Sequence, residues 1–160
     1  MRRMIAVLMG VSGSGKTTIG ERVAARLDWR FIDADDHHPA ANVAKMSSGI
    51  PLEDADRWPW LDELIRLLRG ERDAVLACSA LKESYRKRLV AGVRDWRLFF
   101  LTADKALIAS RLAARKHRYM PASLLDSQLA TLEAPAQAIR IDVSAPVEHS
   151  VDTIVQALDR

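Results

Sequence analysis

The chain has 160 residues, 49% hydrophobic and 28% charged, which is enough apolar material for about one packed domain and an ordinary composition for a globular protein. No apolar run approaches the length of a membrane span, and the first apolar stretch starts at Met4, so neither a membrane segment nor a removable leader is expected. The net charge of +3 is dispersed, suiting anionic small molecules as well as nucleic acid, and the single cysteine, Cys78, excludes an internal disulfide and fits a reducing cytoplasm.

The first predicted element is a short buried strand, Met4 to Met9, which runs directly into Gly10-Val11-Ser12-Gly13-Ser14-Gly15-Lys16-Thr17-Thr18. This is the spacing G-x-x-x-x-G-K-T, with an apolar strand before it and a helical pattern after it. Glycines let the backbone turn tightly enough for successive N–H groups to face a phosphate chain. Lys16 supplies a point charge to the β- and γ-phosphate oxygens, and the Thr17 hydroxyl is placed to ligate Mg²⁺. The following helix adds its unpaired N–H groups and the positive end of its dipole. Residues 10–18 therefore predict binding of ATP with Mg²⁺.

A helix is expected from Thr18 to Leu27, with Ile19, Val23 and Leu27 as its apolar stripe, then a strand at Arg30–Ile32. Strand two delivers Asp33 and Asp35 in an extended segment, followed by His37, His38 and Pro39, which opens a helix over Ala40–Lys45. After a loop at Ser47–Pro51, the stretch Asp54–Trp60 leads into a helix carrying Leu61, Leu64, Ile65 and Leu68 and stopped by Gly70. A third strand, Ala74–Cys78, precedes a basic helix at Glu83–Val90, and Arg97–Leu101 is the fourth strand. Thr102 or Asp104 is expected to cap a helix with apolar positions Leu107, Ile108 and Leu112. A charged segment, Arg115–Pro121, a short helix at Ala122–Leu132, a weak fifth strand at Ala138–Val143 and an amphipathic helix from Val147 to Leu158 complete the chain. Strands alternate with helices and read as continuous apolar runs, which predicts a single α/β domain with a parallel sheet covered on both faces.

In such a sheet, ligands gather beyond the carboxyl ends of the strands. There, Asp33 and Asp35 can divide two duties, one holding the Mg²⁺ shell and the other orienting or deprotonating an acceptor hydroxyl. Strand three ends without an acid, so Thr17 and this pair must carry the metal duty, partly through water. His37 and His38 beside these acids invite a zinc reading, but no Cys or further His completes a site. Arg57 is either a surface salt bridge beside aromatic residues or a guanidinium held for a substrate carboxylate or phosphate. Lys82, Tyr85 and Arg86 follow strand three and can face the transferring group. Arg111 and Arg115 lie on one helical face and lead into a segment, residues 115–128, expected to close over ATP as a lid.

Several of these residues together carry a family resemblance. Gly10–Thr17, then Asp33-x-Asp35-x-x-His38-Pro39, then Asn42-x-x-Lys45-Met46-x-x-Gly49-x-Pro51-Leu52-x-Asp54-x-Asp56-Arg57-x-Pro59-Trp60-Leu61 resemble gluconokinases of the small P-loop type. The likeness continues through Cys78-Ser79-Ala80-Leu81-Lys82-x-x-Tyr85-Arg86 and Ser127-Gln128-x-x-x-Leu132-Glu133-x-Pro135, covering nearly the whole chain. It implies a P-loop kinase fold with five parallel strands, a homodimer, and phosphorylation of D-gluconate by ATP. It also implies that Asp35 contacts the acceptor 6-hydroxyl with Asp33 nearer Mg²⁺, that Arg57 binds the sugar acid, and that His38, Lys82 and Arg86 line the same pocket over residues 33–61 and beyond. Ala34, His37 and the lid residues Lys116-His117-Arg118-Tyr119 depart from the family pattern. Two rivals stand beside this reading. One is a kinase for another small hydroxy acid such as shikimate, and the other is a catalytically silent, nucleotide-dependent binding protein. The absence of a basic stripe with interleaved aromatics argues against nucleic acid as the partner.

Overall fold

The molecule is built around β1 (Met4–Met9), which is apolar on both of its faces. The computed structural model describes residues 3–70, 72–114 and 124–159. Because side chains alternate across a strand, Ile5, Val7 and Met9 enter one core layer while Ala6 and Leu8 enter the other. The first layer is closed by α3 (Asp54–Arg69), α4 (Glu83–Val90), α5 (Lys105–Ala113) and α6 (Leu124–Thr131), and the second by α1 (Lys16–Leu27) and α7 (Val147–Leu158). This burial on both sides is why the central strands read as unbroken apolar runs. In α3, Leu61, Leu64 and Leu68 are fully buried, each contributing roughly 2 kcal/mol through removal from water.

The remaining strands are β2 (Arg30–Asp33), β3 (Ala74–Ala77), β4 (Asp95–Thr102) and β5 (Ile139–Asp142). All pairings are parallel and the order is β2-β3-β1-β4-β5. The single-domain α/β architecture with a five-stranded parallel sheet is as expected. From β1 the chain crosses to one side for β2 and β3 and to the other for β4, so the strand order switches at the carboxyl end of β1. The glycine-rich loop emerges there, where doubly wound sheets hold ligands. Among the described residues no helix is long and apolar enough to cross a membrane.

Several local expectations are corrected. α1 begins at Lys16, not Thr18, because Gly15 in the left-handed region (φ 92°) ends the loop and serves as N-cap. Residues Ala34–His37 form a 3₁₀ turn and not an extended segment, because the Asp33 carboxylate accepts the Asp35 N–H at 3.0 Å and caps the turn. α3 starts at Asp54 and runs through Pro59, its start fixed by the Asp56 carboxylate reaching back to the Glu53 N–H at 2.8 Å. Asp104 occupies the N-cap of α5 but its side chain makes no capping bond. α2 (Ala40–Ser47) extends two residues past its expected end.

Candidate active site

The loop after β1 has the geometry of a phosphate cradle. Ser14 N–H donates to the Val11 carbonyl at 3.2 Å, and Gly10 and Gly13 have φ of 157° and 86°. A Cβ on Gly10 would lie 2.8 Å from the Leu101 carbonyl oxygen, and one on Gly13 would lie 3.0 Å from the Ile108 carbonyl oxygen. Both neighbours are backbone and cannot yield, so these two positions require glycine for space as well as for conformation. Lys16 is buried, with Nζ donating to the Val11 carbonyl at 3.2 Å.

Two pockets meet at this loop. The larger, about 820 Å³, is lined by Gly13, Gly15, Lys16, Thr17, Thr18, Asp35, Arg111 and Val147. The smaller, about 450 Å³, is lined among others by Ser12, Lys16, Asp35, His38, Arg57, Trp60 and Gln128. The lining of the first, phosphate-loop backbone with Lys16 and Thr17, suits a nucleotide, and the polar lining of the second, with Asp35, His38 and Arg57, suits a small polar acceptor. Lys16 and Asp35 line both, so the structure brings together a cation and a carboxylate where the two pockets join.

Asp33 has a different environment. It is buried, one carboxylate oxygen accepts the Thr17 hydroxyl at 2.9 Å, and the other accepts the Asp35 N–H. A hydroxyl and a carboxylate edge side by side under the loop form a hard-oxygen set that fits Mg²⁺, which takes few protein ligands and completes its shell with water and phosphate. Among the described residues no group of three or more His, Cys, Asp or Glu side chains is placed to hold a metal ion.

His38 stacks on Trp60 with ring centroids 4.2 Å apart and planes 13° apart. The Asn42 amide nitrogen donates to the Asp56 carbonyl at 2.9 Å and faces His38 Nδ1 at 3.2 Å. An NH₂ group can only donate, so Nδ1 is the acceptor and Nε2 carries the proton. Burial, reinforced by the Arg57 guanidinium, pushes the imidazolium down from 6.5 to about 4. His38 thus stays neutral at physiological pH. The sign for stability follows: between pH 6.5 and 4 the unfolded chain binds the proton and the folded chain does not, so stability is lost as pH falls through that window. Urea unfolding at pH 7 and pH 5 should show His38→Gln losing about 1–2 kcal/mol less than the parent on acidification. Equal losses would show that His38 is protonated in the folded protein. Trp60 also holds the carboxylate turn, its indole N–H donating to the Ala34 carbonyl at 2.7 Å in a fully buried contact.

Arg57 is buried and not a surface salt bridge. Its Nη1 donates to the Tyr85 hydroxyl at 3.0 Å, and the Tyr85 hydroxyl in turn donates to Asp54 Oδ1. Tyr85 therefore faces Arg57 and Asp54, not a transferring group. The Tyr85 phenol is held above its ordinary pKa by burial first and by Asp54 second, while the Tyr85 and Lys82 hydrogen bonds hold the Asp54 carboxyl low. Among the described residues no carboxylate forms an ion pair with Arg57.

Lys82 and Arg86, expected to line the acceptor pocket, are not among the residues lining the smaller cavity, and the structure gives them other partners. Lys82 Nζ donates to Asp54 at 3.0 Å. Arg86 is buried, with Nη1 on the Ala80 carbonyl at 2.8 Å and Nη2 on the Glu133 carbonyl at 2.9 Å. Ala80 has φ 45°, a left-handed conformation costing an alanine about 1 kcal/mol, and Arg86 braces the loop that carries it. Arg111 lies at the nucleotide pocket, while Arg115 and the first part of the expected lid, residues 115–123, lie outside the described residues.

Two site residues escaped the reading of local pattern. Trp60 reads as core beside Arg57, with no periodicity to reveal its bond to Ala34. Gln128 stands in the motif of the resemblance, yet nothing in its neighbours signals that it accepts the Ser12 N–H at 2.7 Å and donates to the Ser12 hydroxyl at 3.0 Å. That pair ties α6 to the phosphate cradle.

Comparison with known proteins adds four findings. A family model described as an AAA domain matches residues 5–135. The gluconokinase of Gluconobacter oxydans is 50% identical over 158 residues, covering 96% of this chain and 88% of that one. The crystal structure of a gluconokinase from Sinorhizobium meliloti superposes with a TM-score of 0.84 at 38% identity, covering 99% of this chain and 97% of the other. Shikimate kinase from Bacteroides thetaiotaomicron superposes with a TM-score of 0.72 at 18% identity over 98% and 99% of the two chains, a likeness of fold alone.

Proposed function

The chain belongs to the gluconokinase family of P-loop kinases, and from that premise we propose how its own residues transfer the γ-phosphoryl group of ATP to the 6-hydroxyl of D-gluconate. The observation that carries the acceptor assignment is Arg57. A buried guanidinium with no carboxylate partner among the described residues, in a pocket shared with Lys16 and Asp35, calls for an anionic ligand bearing a hydroxyl. In this reading the gluconate carboxylate lies against Arg57, the Nε2–H of His38 donates to a hydroxyl along the chain, and the 6-hydroxyl reaches the junction. Asp35 accepts the proton of that hydroxyl as the phosphorus–oxygen bond forms, and the bond to ADP breaks on the opposite side. Lys16, the cradle N–H groups and Arg111 stabilise the charge on the transferring oxygens.

Thr17 and Asp33 would hold Mg²⁺, directly or through water, and the ion would supply positive charge to offset that of the phosphates. The same reading includes a cytoplasmic homodimer. The family resemblance supports the dimer, and the buried Cys78 thiol, pushed up to about 12 by burial, suits a reducing compartment.

A coupled ADP-release assay with ATP and Mg²⁺ tests the acceptor. Strong stimulation is expected with D-gluconate, and only weak stimulation with shikimate, glycerate or glucitol, the last of which keeps the hydroxyl chain without the carboxylate. Equal turnover of glucitol would remove Arg57 from its role as carboxylate partner.

A further inference from the structure

Arg57, Tyr85 and Asp54 form a chain with one possible direction. A guanidinium has no acceptor, so the phenol oxygen accepts from Arg57 Nη1 at 3.0 Å and its proton goes to Asp54 Oδ1. The same Asp54 oxygen accepts from Lys82 Nζ at 3.0 Å. The Tyr85 ring is almost wholly buried, wedged edge-on against Trp58 with centroids 5.5 Å apart, and the Arg57 guanidinium carbon lies 5.3 Å from its centroid. Asp54, by contrast, keeps about half of its side chain exposed, at 49%. A buried cation and a half-exposed carboxylate are thus held apart by one phenol.

We infer that Tyr85 is a positioning residue for the acceptor site: its hydroxyl orients Arg57 and keeps the guanidinium from pairing directly with Asp54. Without the phenol the two charges collapse together, because a buried guanidinium gains more from a bidentate carboxylate than from water. The substrate carboxylate then competes with an internal one. Lys82 supports the arrangement by drawing Asp54 toward the surface. The inference rests on the reading of Arg57 as the partner of the acceptor carboxylate.

The test is a set of steady-state measurements on the full chain, each variant checked by thermal unfolding. Tyr85→Phe is expected to raise the gluconate KM about tenfold, with kcat within about threefold and the ATP KM unchanged. Adding Asp54→Ala to Tyr85→Phe is expected to restore part of the loss, bringing the KM to within about threefold of the parent, because the internal competitor is gone. A merely structural role for Tyr85 predicts instead that the two losses add and that the ATP KM moves with them, and that result would overturn the inference. Arg57→Ala separates the two readings. If it leaves the gluconate KM unchanged, the acceptor assignment fails. If it raises the KM while Tyr85→Phe does not, only the positioning role fails.

Discussion

Lys16→Met is expected to lower kcat by about 10³-fold or more while the chain remains folded. The fold should survive for reasons visible in the structure. Lys16 sits in the first turn of α1, where backbone helix bonds and the packing of Ile19 and Val23 set the conformation. Its Nζ donates to the Val11 carbonyl at 3.2 Å, a bond to the cradle backbone that plays no part in the helix itself. Methionine keeps the length and the apolar stem, so the buried space is filled and no cavity term enters. What is lost is a charge held at the junction of the two pockets, in a site screened from water, where a unit charge acts most strongly on developing phosphoryl charge. Single-turnover kinetics with saturating gluconate, alongside thermal unfolding, checks this. A variant with an unchanged melting temperature and a near-parental rate would remove the loop from phosphate binding.

The parts of this molecule that were legible beforehand are those fixed by local rules. The cradle could be read because each residue in 10–17 answers to a backbone or charge requirement within an eight-residue window. The central strands could be read because burial on both sides leaves no polar face to confuse the pattern, whereas the edge strand β5, Ile139-Arg140-Ile141-Asp142 and mostly exposed, gives only a weak signal. The errors lie where a side chain reaches across the fold. Asp33 was expected to share an extended segment with Asp35, yet its carboxylate folds back on the Asp35 N–H and makes a turn. The resemblance implies that Lys82 and Arg86 line the acceptor pocket, and their place after β3 lets them face the transferring group. Their positions are set by Asp54, 28 residues away, and by the Glu133 carbonyl, 47 residues away. Gln128 and Ser12 are 116 residues apart, and only the packing of α6 against the loop brings them together. Which side chain finds which partner is a tertiary property, and spacing does not encode it.

Asp35→Asn should reduce kcat by about 10²- to 10³-fold while the KM values for gluconate and ATP change only a few-fold. The backbone of the turn does not depend on this carboxylate. The turn carrying residue 35 is held by its backbone N–H on Asp33 and by the Trp60 indole on the Ala34 carbonyl, and neither bond uses the Asp35 side chain. Asparagine keeps the shape and loses the proton-accepting oxygen, so binding persists and transfer suffers. Asp33→Asn provides the contrast. One Asp33 oxygen accepts the Thr17 hydroxyl and the other caps the turn, so that variant should raise the Mg²⁺ concentration needed for half-maximal rate as well as lower the rate. If Asp35→Asn shifts the Mg²⁺ dependence and Asp33→Asn does not, the two carboxylates exchange roles. If Asp35→Asn retains kcat at every Mg²⁺ concentration, the acceptor hydroxyl gives its proton elsewhere. The burial of Asp33 and the position of Asp35 at the junction of both pockets both favour the assignment made here.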